Sequence, residues 1–124
     1  MTATYDQTYK DTLDSLLLPL PEVTAGKMFG YPAYFTAGRL FACLMDHVIG
    51  LKVPADLAVD LLLQPFISPF QPFGKAKMKE WIQINRERPE DLESDISVFL
   101  ASITYVSSLG PKIRPQPATR RQTT

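Results

Sequence analysis

The stretch KMFGYPAYFTAGRLFACLMDHVIGLKV, residues 27–53, decides the fold of this 124-residue chain. Three or four short apolar runs follow one another here, separated by brief turns at Ala37 and Gly38 and near Asp46 and His47. Short runs rich in aromatic and β-branched residues, joined by such brief turns, are typical of adjacent antiparallel strands. The stretch therefore predicts an antiparallel meander.

The middle run of this stretch, residues 40–45, is apolar on both faces. Strict alternation along a strand places Leu40, Ala42 and Leu44 on one face and Phe41, Cys43 and Met45 on the other. A strand that is apolar on both sides is usually covered on both. We therefore expect either a central strand or a strand with one face against a binding partner.

The length and composition predict one globular domain. The chain has 45% hydrophobic and 21% charged residues, close to the average soluble domain. A domain of this size can build a core without disulfides or metals, and we expect no cofactor. Lysine plus arginine equals aspartate plus glutamate at 13 each, so the chain lacks the basic field of a dedicated nucleic-acid or membrane binder.

The charge is unevenly distributed along the chain. Residues 111–124 carry four positive charges and no acid, which leaves 9 basic and 13 acidic residues in residues 1–110. The basic residues of this tail are Lys112, Arg114, Arg120 and Arg121. Because the tail also holds three prolines, it predicts a flexible basic segment after a single domain at 1–110.

Cysteine usage and the N-terminus favour a cytoplasmic, soluble protein. Cys43 is the only cysteine, and in an apolar run it behaves as a small hydrophobe in a reducing compartment. Asp6, Asp11 and Asp14 lie where a signal peptide needs a basic start and an apolar centre. The longest uncharged run, residues 96–111, is shorter than a membrane span.

Helical periodicity occurs in three places. Residues 5–18 fit a surface helix with a capping box from Thr4 to Gln7. Residues 54–63 fit a short helix whose inward residues are Leu57, Leu61 and Leu62. Residues 89–110 fit a long C-terminal helix, whose apolar stripe is formed by Leu92, Ile96, Phe99, Ile103 and Val106.

Proline and phenylalanine dominate residues 64–75. Three prolines remove three N–H groups, so we predict a stiff extended loop whose phenylalanines plug the edge of the core or line a binding rim. Residues 78–85 then predict a further strand with Trp81 and Ile82 on opposite faces. Together these elements predict an α+β domain: an antiparallel sheet of about four to five strands in a meander, packed by three helices.

Five short motifs follow one another in a characteristic order. They are Lys27-Met28-Phe29-Gly30, Gly38-Arg39-Leu40-Phe41-Ala42, Gly50-Leu51-Lys52-Val53, Pro69-Phe70-Gln71-Pro72-Phe73-Gly74 and Met78-Lys79-Glu80-Trp81. In this order the motifs resemble the TfoX N-terminal domain family, over roughly residues 8–108. The chain departs from the family at Gly26, where an arginine is common, and at Tyr31-Pro32, where a glycine-rich turn is common.

The resemblance implies a fold and a broad role. The fold it implies is an α+β domain with helices against an antiparallel sheet. In competence regulators of this type the domain is joined to a second, C-terminal domain, and the whole protein helps to activate transcription. Since only a short tail follows here, the resemblance implies a stand-alone copy of the domain. Within the first motif, Met28 and Phe29 are expected in the core and Gly30 at the bend.

Lysines and one tryptophan are the candidate interaction residues. Lys27 and Lys52 lie within apolar runs and would hold an anion or a partner carboxylate if their strands were neighbours. Otherwise each is a surface lysine whose stem covers apolar residues. Lys75, Lys77, Lys79 and Trp81 form a second group. That group predicts either a patch that tracks a nucleic-acid backbone or a charged strand edge that prevents aggregation.

No catalytic set is recognisable in the sequence. Cys43 and His47 are four residues apart, about 13 Å along a strand, which is too far for a thiolate–imidazole pair. Sulfur and nitrogen ligands are too few for a zinc site. We therefore expect no enzyme activity.

Three functions follow as expectations. The first is a non-catalytic binding or regulatory module that acts through a protein partner or as a homodimer, because one strand is apolar on both faces. The second is weak nucleic-acid binding through the lysine group and the basic tail. The third is a small-ligand protein or enzyme whose pocket is lined by Phe66, Phe70, Phe73 and Trp81.

Overall fold

The computed structural model describes residues 4–72 and 78–110, and within them one six-stranded antiparallel sheet carries the fold. The strands are β1 (Val23–Met28), β2 (Tyr31–Thr36), β3 (Arg39–Met45), β4 (Val48–Lys52), β5 (Ile67–Pro69) and β6 (Trp81–Asn85). Their spatial order is β1-β2-β3-β4-β6-β5. The predicted meander is therefore confirmed as β1 to β4, and the sheet has one or two strands more than expected.

Two tight turns hold the first three strands in register. Met28 pairs with Tyr31 and Thr36 pairs with Arg39, so each connection has only two residues. Both residues of each connection have positive φ: 52° at Phe29 and 86° at Gly30, 53° at Ala37 and 73° at Gly38. Positive φ at both central positions matches the type I′ turn, whose twist suits a β-hairpin.

A bulge in β3 changes which residues share a face. Tyr34 of β2 pairs with Ala42 and the next residue, Phe35, pairs with Leu40, so Phe41 is an extra residue in β3. An extra residue reverses the alternation beyond it. Phe41 therefore joins Ala42 and Leu44 in the main core, whereas Leu40 lies with Cys43 and Met45 on the opposite face. The alternation expected for 40–45 was wrong at Leu40 and Phe41.

Three α-helices and one 3₁₀ helix complete the described structure. They are α1 (Gln7–Leu17), α2 (Ala55–Leu61), the 3₁₀ helix Pro89–Asp95 and α3 (Ile96–Ser108). The main core lies between these helices and one face of the sheet, and Leu13, Leu17 and Phe99 are fully buried in it. The predicted α+β fold, with an N-terminal, a short middle and a long C-terminal helix, is confirmed.

The opposite face of the sheet has a smaller apolar cluster, and none of the cluster's members comes from a helix. They are Met28, Ala33, Phe35, Leu40, Cys43, Met45, Phe70, Met78 and Trp81. We call this side of the sheet the open face. Five of its strand residues, Met28, Phe35, Leu40, Met45 and Trp81, are only half-buried.

The helix ends differ in detail from the predictions. Asp6 caps α1, because its carboxylate accepts the Thr8 backbone N–H at 2.9 Å, so the expected capping box at Thr4 is wrong. Leu57 and Leu61 of the middle helix pack on the core, but Leu62 is 38% exposed. The long C-terminal helix begins with a 3₁₀ helix at Pro89 before the α-helix starts at Ile96.

The proline- and phenylalanine-rich segment contains a strand that was not predicted. Ile67–Pro69 pairs with β6 at the edge of the sheet, where the missing N–H of Pro69 is tolerated. Phe70 is 3% exposed and Phe66 packs on the main core, which confirms that these two rings plug core edges. Phe73 and the expected tail at 111–124 lie outside the described residues.

None of the helices in the described ranges has the length and apolar character needed to cross a lipid bilayer.

Candidate functional site

Phe70 closes the middle of the open face. Its ring lies over Gly50, where an added Cβ would come within 2.5 Å of the ring, so only glycine leaves room for it. The ring also lies 5.6 Å from the Trp81 ring, centroid to centroid. Cys43 pairs with Gly50 beneath this cover and is fully buried. Burial raises the pKa of the Cys43 thiol to about 11, so the thiol is protonated at neutral pH.

An apolar slot of about 210 Å³ lies beside Phe70 on the open face. We use the name apolar slot for the space bounded by eight residues: Met28, Phe29, Leu40, Cys43, Phe70, Pro72, Met78 and Trp81. A second apolar groove, of about 320 Å³, lies between α2 and Trp81 and shares Met78 and Trp81 with the slot. The open face therefore offers concave apolar surface of the kind that receives a side chain or a small ligand.

Phe29 stands at the rim of the apolar slot with 80% of its surface exposed. Its φ of 52° lies in the left-handed region, which bulky side chains rarely adopt. The expectation that Phe29 lies in the core was wrong, because it occupies the first position of the two-residue turn between β1 and β2. Met28 is half-buried in the open-face cluster, and Gly30 forms the bend as expected.

Lys27 and Lys52 do not converge. The sheet order places β2 and β3 between their strands, and the register places the two lysines on opposite faces. Lys52 is held within the protein, with its Nζ 3.4 Å from Glu80 Oε1 and 5.9 Å from the centroid of the Trp81 ring. Glu80 also accepts a hydrogen bond of 2.8 Å from the Tyr105 hydroxyl. The carboxylate beside Lys52 therefore belongs to Glu80 of this protein and not to a binding partner.

The predicted lysine group is only partly within the described structure. Lys75 and Lys77 lie outside the described residues, and Lys79 is exposed in the turn before β6. Because β6 begins at Trp81, Lys79 does not share a strand face with it, contrary to the prediction of a strand from residue 78. Trp81 itself is half-buried under Phe70 and Lys52.

The sheet also shows where the residues of the predicted phenylalanine pocket lie, and where Cys43 and His47 lie. Phe66 packs on the main core under Arg86, whereas Phe70 and Trp81 belong to the open face, so they do not line a common pocket. His47 is exposed, and its ring lies 6.3 Å from the Tyr9 ring, centroid to centroid, while Cys43 is buried under Phe70.

The buried ion pair between Arg86 and Asp95 was not predicted from the sequence. Arg86 of β6 donates two hydrogen bonds to Asp95, at 2.7 and 3.0 Å, and Asp95 is only 2% exposed. The Arg86 guanidinium also lies 3.5 Å from the centroid of the Phe66 ring. Nothing in the local pattern marks this pair, because Asp95 is one of four acids in residues 90–95. Arg86 therefore serves the fold and does not contribute to a free basic patch.

Residues 4–72 and 78–110 contain no group of three or more histidine, cysteine, aspartate or glutamate side chains arranged to hold a metal ion. What they do contain is a continuous apolar area, made of the open face, its slot, and Phe29 at the rim. Comparisons with protein-family models, with curated proteins and with solved structures gave no match. The resemblance to the TfoX N-terminal domain family therefore stays a prediction.

Proposed function

We propose that this protein is a non-catalytic binding module of the TfoX N-terminal type, which contacts a protein partner or a second copy of itself through the open face. The observation that carries the proposal is Phe29. An 80% exposed phenylalanine occupies a backbone conformation with φ of 52°, at the rim of an apolar slot.

The placement of Phe29 is unfavourable for the isolated fold in two ways. Holding a residue other than glycine in the left-handed region costs about 1–2 kcal/mol. Leaving the ring exposed also forgoes most of the roughly 1.5–3 kcal/mol that burial of a phenylalanine side chain contributes. Strained positions of this kind cluster at functional sites. A partner that covers Phe29 would recover the burial energy.

The surroundings of Phe29 support a protein partner. Phe35 lies against Gly26, where a Cβ would come within 3.0 Å of the ring, and both belong to the open side of the sheet. Phe35, Met28 and Met45 together give a half-buried surface of aromatic and thioether side chains. Aromatic residues and methionine are enriched in protein interfaces. A central aromatic residue often supplies much of the binding energy.

We expect the module to act in the cytoplasm, because its single cysteine suits a reducing compartment. Weak nucleic-acid binding through Lys75, Lys77, Lys79 and the basic tail is the alternative that the sequence suggests. No contact among the described residues favours it, since Trp81 packs between Phe70 and Lys52. A salt titration of binding to duplex DNA and single-stranded RNA tests it: absence of binding at low salt contradicts this alternative.

The test of the module uses two matched substitutions, Phe29→Asn and Ala37→Asn. Each introduces asparagine at the first position of a type I′ turn before a glycine, which such turns prefer, so both should keep or raise the free energy of unfolding by about 1 kcal/mol. Only Phe29→Asn removes the exposed ring. Sedimentation velocity from 10 to 500 μM would show whether the protein self-associates and whether Phe29→Asn alone abolishes that association.

If the partner is another protein, crosslinking in cells identifies it. A photo-crosslinking amino acid is placed at position 29 and, for comparison, at position 63 in place of Leu63. Leu63 is 82% exposed on the segment after α2 and serves as the control. We expect a specific crosslink from position 29, and binding of the purified partner that survives Ala37→Asn and is lost with Phe29→Asn. Identical crosslinks from both positions, or equal binding by both asparagine variants, would contradict the proposal.

A further inference from the structure

We propose that the protein also binds a small amphipathic monocarboxylate, with the carboxylate between Arg39 and Lys52 and the apolar body in the apolar slot. This inference goes beyond protein binding and does not depend on it. It starts from a cleft of about 170 Å³ that we call the cationic cleft, lined by Arg39, Leu40, Lys52, Trp81, Val106 and Leu109.

The sheet brings the two cations together. Arg39 begins β3 and Lys52 ends β4, and the two strands are antiparallel neighbours, so both side chains lie at the same end of the sheet. Both line the cationic cleft. Sequence alone did not suggest this pair, because 12 residues, including the β3–β4 turn, separate the two positions.

The cationic cleft retains positive charge after its internal contacts are counted. Arg39 donates from Nε to the Gly110 carbonyl at 2.8 Å, which satisfies the carboxyl end of α3, and within residues 4–72 and 78–110 it forms no ion pair. Lys52 contacts one carboxylate, Glu80, at 3.4 Å. Two cations against one acid leave about one unit of uncompensated positive charge, which complements a monoanion. The planar guanidinium also matches a carboxylate in shape.

The cationic cleft and the apolar slot share two lining residues. Leu40 and Trp81 line both spaces, so the two are neighbours on the molecule, and the proposal places one ligand across them. The slot's volume of about 210 Å³ is many times the space that one buried water molecule needs, so the slot has room for a short alkyl chain or an aryl ring. The combined site therefore fits a carboxylic acid with an alkyl or aryl body of about that size.

Trp81 provides a direct measurement, because it is the only tryptophan and lines both spaces. Octanoate is the probe, 1-octanol and octylammonium are the controls of charge, and all are used well below micelle formation. We expect octanoate to change Trp81 fluorescence with a dissociation constant on the order of 10⁻⁴ M. Octanol should bind about tenfold more weakly, because it lacks the charge-assisted hydrogen bonds, and octylammonium more weakly still.

Substitutions locate the carboxylate. Lys52→Met and Arg39→Gln should each weaken octanoate binding about tenfold or more and leave octanol unchanged, whereas Lys52→Arg keeps the charge and most of the affinity. Arg88→Gln is the matched control, because Arg88 is exposed and pairs with Glu90 and Asp91 away from the cleft. Calorimetric titration repeats each measurement without reliance on fluorescence, and circular dichroism verifies that each variant is folded.

Three results would overturn the proposal. The first is absence of octanoate binding at millimolar concentration, and the second is equal affinity for octanoate and octanol. The third is tighter binding of N-acetylphenylalanine than of both octanoate and 4-phenylbutyrate, which would assign the cleft to the C-terminus of a protein. None of these results bears on the Phe29→Asn comparison, so this inference and the protein-binding proposal fail separately.

Discussion

Phe29 and Phe70 are both loop phenylalanines, yet their surroundings are opposite. Phe70 is 3% exposed and fills the space that Gly50 leaves free on the open face. Phe29 is 80% exposed at a hairpin turn a short distance away, on the rim of the same slot. At the scale of single residues, one ring therefore stabilises the fold, whereas the other leaves most of its surface exposed to solvent.

The contact between Gly50 and Phe70 leads to a prediction about stability and thiol reactivity. Gly50→Ala brings a methyl group within 2.5 Å of the ring, so the ring must move. We expect a loss of about 1–3 kcal/mol in the free energy of unfolding, as for other overpacked cores. We also expect faster reaction of Cys43 with a thiol reagent under native conditions, because Phe70 no longer covers it.

A double-mutant cycle provides the control for this prediction. In a Phe70→Ala background there is no ring to displace, and alanine is tolerated in a strand at least as well as glycine. Gly50→Ala should then be nearly neutral. An equal cost of Gly50→Ala in both backgrounds, measured by urea denaturation, would show that the close contact is not the cause.

At the scale of elements, an ion pair joins β6 to the start of the C-terminal helix. Arg86 on the strand and Asp95 at the end of the 3₁₀ helix form two hydrogen bonds, and Phe66 covers the guanidinium. The acid of this pair is almost completely buried. Loss of one partner from such a pair leaves the other charge without compensation, which is strongly destabilising.

Asp95→Asn should therefore lower the free energy of unfolding by about 3 kcal/mol, with little change in side-chain volume. Glu90→Gln is the matched carboxylate-to-amide control: its ion pair with Arg88 spans 3.8 Å and both side chains are more than half exposed. The control should cost less than about 0.5 kcal/mol. Similar losses for the two variants in urea denaturation would argue against a structural role for the buried pair.

At the scale of the whole molecule, the two faces of the sheet differ in closure. Helices seal the main core, and Tyr34 connects that core to α1 through a hydrogen bond of 2.5 Å from its hydroxyl to Asp14. Lys10 binds the other oxygen of Asp14 at 2.7 Å. The open face has no comparable cover from a helix among the described residues. Within the described residues, the molecule thus combines a closed hydrophobic core with an apolar sheet face that no helix covers.

Tyr34 makes the stability of the whole fold sensitive to alkaline pH. Burial, together with the hydrogen bond to Asp14, raises the pKa of the Tyr34 phenol far above its usual value. Above pH of about 10 the unfolded chain loses this proton and the folded chain keeps it, so stability falls as pH rises. In the Tyr34→Phe variant, the free energy of unfolding should therefore fall less steeply with pH above about 10, by up to about 1.4 kcal/mol per pH unit.

Urea denaturation between pH 7 and pH 11 measures this slope. Between pH 7 and pH 8 the phenol is protonated in both states, so the cost of Tyr34→Phe should be constant there, which provides the internal control. Tyrosinate absorbance of the folded protein should show no ionisation of Tyr34 before unfolding. Equal slopes for the original protein and the Tyr34→Phe variant above pH 10 would contradict the prediction.

The parts of the fold that depend on local pattern can be predicted from the order of residues alone. The meander at 27–53 and the three helical segments follow from hydrophobic periodicity and turn residues, which act over a few positions, whereas the phenylalanines of 64–75 were left with two alternatives, a plug or a binding rim.

Which residues come into contact depends on the three-dimensional arrangement of the strands and helices. One inserted residue, Phe41, reverses the alternation of β3, and a pattern of period two cannot reveal where a bulge falls. Strand order separates Lys27 from Lys52 and brings Arg39 beside Lys52, because pairing between strands depends on the whole sheet. Phe29 is exposed because its motif supplies both residues of a turn, where the chain reverses and side chains leave the core.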